Sequence, residues 1–180
     1  MDYIHSTLHK LHRDLKSGNV LCTGSAVAPR VKIGDFGSIK EQLQGISNPA
    51  GMLKEAGGSS IKMTRGVGTP VYMAIEMMRA EEYDGSAEVW SFGVMLYEIA
   101  THHLPDLLTE LPAEVVGKRR GGPYLGQVLK LLEAGHRLEL NNDLVSEGEP
   151  SWYRPLMARC MLEEARQRPD FATIVDEIAI

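Results

Sequence analysis

Cysteine is scarce: two occur in 180 residues, Cys22 and Cys160, and they lack the spacing of a metal site. That excludes a cysteine-held metal centre and suits a reducing compartment, with both expected as buried thiols. Long apolar runs are missing too. The longest, residues 89–100, is interrupted by Ser91 and Glu98 and falls well short of the ~20 residues of a membrane span. The opening Met1-Asp-Tyr-Ile-His has neither the basic start nor the apolar stretch of an export signal, so a cytoplasmic location is expected. No excess of positive charge exists: the net charge is −5. The basic cluster Lys118-Arg-Arg120, set among glycines, reads as a solvated loop, and nucleic acid is not an expected partner. His102-His103 has no third ligand at metal spacing and reads as a surface turn. Internal repeats, low-complexity tracts and the nucleophile elbow of a Ser-His-Asp hydrolase are all lacking.

What is there is an ordinary globular composition, 43% hydrophobic and 24% charged. At this length one domain buries roughly 70% of its unfolded surface. The chemistry is concentrated in residues 12–19, His-Arg-Asp-Leu-Lys-Ser-Gly-Asn, between an apolar run and a strand-like stretch. Asp14 can take a proton from a hydroxyl, Lys16 can neutralise a phosphoryl oxygen, and Asn19 can offer a carbonyl oxygen to a hard cation. Further along, Asp35-Phe-Gly37 supplies a second carboxylate for a metal. Phosphoryl transfer needs this division of labour. A polar turn before a strand would account for a lone His-Arg-Asp. It does not account for three motifs in order, the third being Gly68-Thr-Pro-Val-Tyr-Met-Ala-Ile-Glu76.

The elements follow from periodicity. Residues 1–9 read as the last turns of a helix. Two β-rich runs within residues 19–34 read as a hairpin that holds Asn19 near Asp35. Residues 38–67 carry glycine and proline throughout and read as structureless. A short helix near residues 75–79 comes next. Ser86 then reads as the N-cap of a helix to about residue 101, apolar on nearly every side and hence a central pillar. Beyond a proline- and glycine-rich connection, helices are expected over residues 125–134, 152–163 and 171–180, ringing that pillar.

These motifs resemble the catalytic loop, the Asp-Phe-Gly and the substrate-facing segment of protein kinases. Residues 89–98 are similar to the family's buried helix, and Arg168-Pro169 to its near-terminal Arg-Pro. The resemblance implies a mainly α, α+β kinase fold and, over residues 1–180, its C-terminal lobe. It also implies transfer of the γ-phosphoryl of ATP to a protein hydroxyl with Mg²⁺. Asp14 would orient and deprotonate the acceptor, and Lys16 would meet the γ-phosphoryl oxygens. Asn19 and Asp35 would hold the metal, Leu21 would lie beneath the adenine, and Thr69 would face the substrate. Lysine two residues after the aspartate is what serine/threonine-specific members carry. His12 and Phe36 would be packing residues, and Glu76 with Arg168 a buried ion pair. Arg13 would receive a phosphate placed by an upstream kinase on Thr64, Ser59 or Ser60. Gly66-Val-Gly68 mimics a nucleotide loop but belongs to the substrate-facing segment.

Three departures matter. The family's N-terminal lobe, with its glycine-rich loop and strand lysine, is not among these 180 residues, so the isolated chain is expected to bind ATP weakly, transfer phosphate poorly and self-associate. Ile75 stands where the family has proline. Glu88 stands where the buried helix offers an aspartate to the catalytic-loop backbone, and its extra methylene is expected to loosen that hold. The alternative function is a non-catalytic kinase-like binding or scaffold module.

Overall fold

The computed structural model describes residues 1–25, 27–41, 70–117, 123–140 and 148–179. Helix predominates among them, with two small antiparallel sheets. Strand β1 (Lys10–Leu11) pairs with β4 (Lys40–Glu41), and β2 (Val20–Ser25) pairs with β3 (Ala28–Ile33). The β2–β3 register runs from Val20 opposite Ile33 to Ser25 opposite Ala28. Gly24 allows the tight end of this hairpin: its φ is 92°, and a Cβ there would sit 2.5 Å from the Ala28 carbonyl oxygen. The hairpin is exposed on both faces, which corrects one expectation. Cys22, on β2, is exposed, whereas Cys160 is buried.

Strand β4 falls inside the stretch read as structureless, because a two-residue strand has no periodicity to detect. From residue 42 on, that stretch lies outside the described residues, as do Ser59, Ser60, Thr64, Thr69 and the cluster Lys118-Arg-Arg120. At the start of the chain, Tyr3–Thr7 is a single wide turn of π-helix rather than the end of an α-helix, with the Leu8 amide bonded five residues back to the Tyr3 carbonyl at 3.2 Å.

Helices follow in order: α1 (Ile75–Met78), α2 (Ser86–Thr101), α3 (Leu107–Glu110), α4 (Ala113–Gly117), α5 (Tyr124–Glu133), α6 (Tyr153–Cys160) and α7 (Phe171–Ile178). Buried side chains point from α2 in every direction, among them Val89, Trp90, Val94, Leu96 and Tyr97. It packs tightly against α6 at Gly93, where a Cβ would come within 2.8 Å of the Cys160 Cβ. Nearby, the Tyr153 hydroxyl donates to the Leu96 carbonyl at 2.6 Å. Two guanidinium groups lie over the Trp90 ring, Arg137 at 5.3 Å and Arg168 at 5.0 Å from its centroid.

Ser86 is not the cap of α2. Asp84, two residues earlier, accepts the Ser86 amide at 2.9 Å. Ile75, in the place of a proline, takes the first position of α1, where a missing amide proton would cost nothing, and its side chain is buried. Among the described residues no helix is long and apolar enough to cross a membrane.

Candidate active site

Three of the residues singled out in the sequence meet directly. The Lys16 ammonium donates to Asp14 Oδ2 at 2.7 Å, and Asn19 Nδ2 donates to the same oxygen at 3.0 Å and to the Asp14 carbonyl at 2.7 Å. With two acceptors facing it, the nitrogen of the Asn19 amide must lie on the Asp14 side. The carbonyl Oδ1 is therefore turned away from Asp14. Lys16 and Asp14 each keep 21% side-chain exposure, while Asn19 is buried at 8%.

Backbone pairing brings the second motif alongside. The Gly34 amide donates to the Asn19 carbonyl at 2.8 Å, continuing the β2–β3 ladder by one step, and Asp35 follows at once. Asp35 adopts a left-handed conformation with φ 59° and does not cap the turn after it, leaving its carboxylate exposed. His12 locks the two motifs together. Its Nε2 donates to the Gly34 carbonyl at 2.8 Å, and its ring meets Phe36 edge-on with centroids 5.3 Å apart. Leu21 is 56% exposed, its side chain lying against Gly34.

The donor set suits a hard cation: one amide oxygen and one carboxylate, with water or phosphate oxygens to complete the shell. Among the described residues no three His, Cys, Asp or Glu side chains lie together as a metal-binding group.

Behind the loop lie contacts with partners distant in sequence. Glu88, on α2, accepts the Arg13 backbone N–H through Oε1, and its Oε2 lies 2.6 Å from His5 Nε2. Despite its extra methylene, Glu88 thus reaches the loop backbone. Ser17 donates to Glu98 Oε1 at 2.8 Å, and the Tyr72 hydroxyl donates to Glu98 Oε2. Burial first, then the Glu98 carboxylate, push the Tyr72 phenol well above its ordinary range. Nothing in the sequence marked the contacts of His5 with Glu88 or of Ser17 and Tyr72 with Glu98, since the partners are 26 to 83 positions apart. Glu76 and Arg168 form the buried pair expected of them, with Nη1 to Oε1 at 2.6 Å and Nη2 to Oε2 at 3.0 Å.

The family model described as the protein kinase domain matches residues 1–177. The chain belongs to the protein kinase family. It is 42% identical over its whole length to mitogen-activated protein kinase kinase kinase 13-B of Xenopus laevis, covering 15% of that protein. Identity is 31% over 97% of the chain to mitogen-activated protein kinase kinase kinase 12 of Rattus norvegicus, 16% of whose length is covered. It is 41% over 55% of the chain to putative serine/threonine-protein kinase A of Trypanosoma brucei brucei, with 19% of that protein covered. The chain thus spans less than a fifth of the length of these kinases. Serine/threonine kinases align across all of it.

Proposed function

We propose that this chain is the C-terminal, substrate-binding lobe of a cytoplasmic serine/threonine protein kinase domain, transferring the γ-phosphoryl of ATP to a protein Ser or Thr. The observation that carries the proposal is the hydrogen-bonded set of Asp14, Lys16 and Asn19. Asp14 orients the acceptor hydroxyl and takes its proton as the oxygen attacks phosphorus. Lys16, paired with Asp14, brings a positive charge to the transferred oxygens. Asn19 Oδ1 and the Asp35 carboxylate are the residues to hold Mg²⁺, which when bound neutralises phosphate charge. Leu21 offers an apolar surface to the adenine, and Thr69 faces the acceptor.

Substrate and control are proposed on the same basis. The names of two relatives describe a kinase acting on a kinase, so another protein kinase is the substrate class proposed here. Arg13 is the receiver for a phosphate placed by an upstream kinase on Thr64, Ser59 or Ser60.

Replacing Asp14 by Asn tests the reading. The natural gene product is expected to lose phosphoryl transfer to a Ser/Thr protein by about 10²- to 10⁴-fold, with Mg·ATP binding retained. An unchanged rate overturns the catalytic role, and a wild type that binds partners but transfers nothing under activating conditions establishes the scaffold reading instead.

A further inference from the structure

The histidine pair that follows α2 has no part in the site described above, yet the second of the two is held on both ring nitrogens. His103 Nε2 lies 2.8 Å from Glu110 Oε1, on α3, and Nδ1 lies 3.1 Å from the Thr101 carbonyl oxygen, at the end of α2. His102, left-handed with φ 58°, ends the helix and turns the chain between them. The other oxygen of Glu110 accepts the Tyr97 hydroxyl at 2.8 Å, and the Tyr97 and His103 rings meet edge-on with centroids 6.2 Å apart. At the opposite end of α3, Asp106 Oδ1 accepts the Leu108 amide at 3.0 Å and the Tyr124 hydroxyl of α5 at 2.7 Å. A helix of four residues has too few bonds of its own to stand alone, and side chains tie this one down at each end.

Which form of the ring this place takes follows from its partners. A carbonyl oxygen only accepts, as does an ionised carboxylate, so each nitrogen must donate. Neutral imidazole has one N–H and satisfies one partner, whereas imidazolium satisfies both. We propose that His103 is a proton-dependent latch: as imidazolium it fastens the C-terminal end of α3 to the end of α2, and on losing its proton it lets that end loosen while Asp106 keeps the other in place. Among the described residues one charged group faces the ring, Glu110 on α3, and one further titratable group, Tyr97 on α2. Burial, and then the bond to Glu110, push the Tyr97 phenol well above its ordinary range, so it keeps its proton while the imidazole titrates. The bond to Glu110, and then that to Thr101, raise the His103 value above its ordinary 6.5. The latch is therefore fully closed below 6.5 and opens as the pH rises through the higher folded-state value. With 46% of the His103 side chain exposed, water screens the pair and the release is partial. None of these groups belongs to the site around Asp14, so the latch is independent of the phosphoryl-transfer reading.

Nuclear magnetic resonance of the full chain, following the His103 ring and the amides of α3 through a pH titration, tests this. The ring is expected to titrate above 6.5, and in Glu110→Gln to fall back toward that value. The Glu110 amide, bonded to the Asp106 carbonyl at 2.9 Å, reports on the loosened end. Its protection, corrected for the intrinsic pH dependence of exchange, is expected to drop about threefold across the same midpoint, the worth of one exposed ion pair. The Leu108 amide keeps its protection. His103→Gln, which stays neutral, removes the pH dependence and leaves the Glu110 amide at the low protection of the alkaline wild type. A wild-type ring that titrates at or below 6.5 overturns the proposal. So does a ring that titrates higher with no response at the Glu110 amide, which marks a surface ion pair that fastens nothing. A pH response that survives in His103→Gln belongs to another group and overturns it equally.

Discussion

Arg168 uses all five of its guanidinium N–H groups. Nε donates to the Leu162 carbonyl, Nη1 to Glu76 and the Ser86 carbonyl, and Nη2 to Glu76 and the Glu163 carbonyl, with the plane of the group over Trp90. A lysine has neither the fork nor the flat face for this site, so Arg168→Lys is expected to behave as a loss rather than a conservative change. Glu76→Ala leaves the guanidinium buried without its counter-charge, at a cost of about 3 to 5 kcal/mol. Equilibrium urea unfolding checks both, and a cost below about 1 kcal/mol for Glu76→Ala would show the pair to be no more than a surface contact. This pair was readable from the sequence because each partner sits in a recognisable motif. The Ser17, Tyr72 and Glu98 contacts were not, because hydroxyls and carboxylates at such separations leave no pattern until the chain has folded.

Helix α7 owes its start to Asp170, whose Oδ1 accepts the Thr173 amide at 2.8 Å. That bond from the backbone holds the carboxyl below its ordinary value of 3.8. A carboxylate with a depressed folded-state value contributes fully above the unfolded value and loses its contribution as the pH falls through the folded one. Asp170 is solvent-screened, so its worth is that of an N-cap, and Asp170→Ala is expected to cost about 1 kcal/mol at pH 7. The gap between the two proteins should close as the pH falls from 3.8 through the lower folded-state value, beneath which both carry a neutral residue 170. Thermal melts of both across that range measure it, and a gap independent of pH would show that the side chain acts by packing. At this scale the sequence was legible wherever a period persists: the hairpin over residues 19–34 forms, and helices stand near residues 86–101, 125–134 and 171–178. The misses are short. Helices α3 and α4, of four and five residues, hide in the proline- and glycine-rich connection, and β4 is shorter than one period of alternation.

Across the whole molecule, stability and chemistry are drawn from different places. The helical body encloses side chains completely, with Leu131 and Leu156 at 0% exposure, whereas the β2–β3 hairpin beside the catalytic loop leaves Leu21 at 56% and Val31 at 62%. Leu156→Ala should therefore destabilise by about 2 to 5 kcal/mol, through lost burial and the cavity left behind. Leu21→Ser should fall within about ±0.5 kcal/mol of the wild type, since the side chain has little burial to lose. If Leu21 is the surface on which the adenine rests, the same substitution removes an apolar contact made only in the complex. Nucleotide affinity should then drop roughly tenfold, which is at the lower end of what burying a leucine against a ligand is worth. Calorimetric titration with Mg·ATP, set beside urea unfolding of the same variant, separates the two quantities. Affinity unchanged at unchanged stability would remove Leu21 from the nucleotide site, and the two falling together would mean that the hairpin is packed more firmly than its exposure implies.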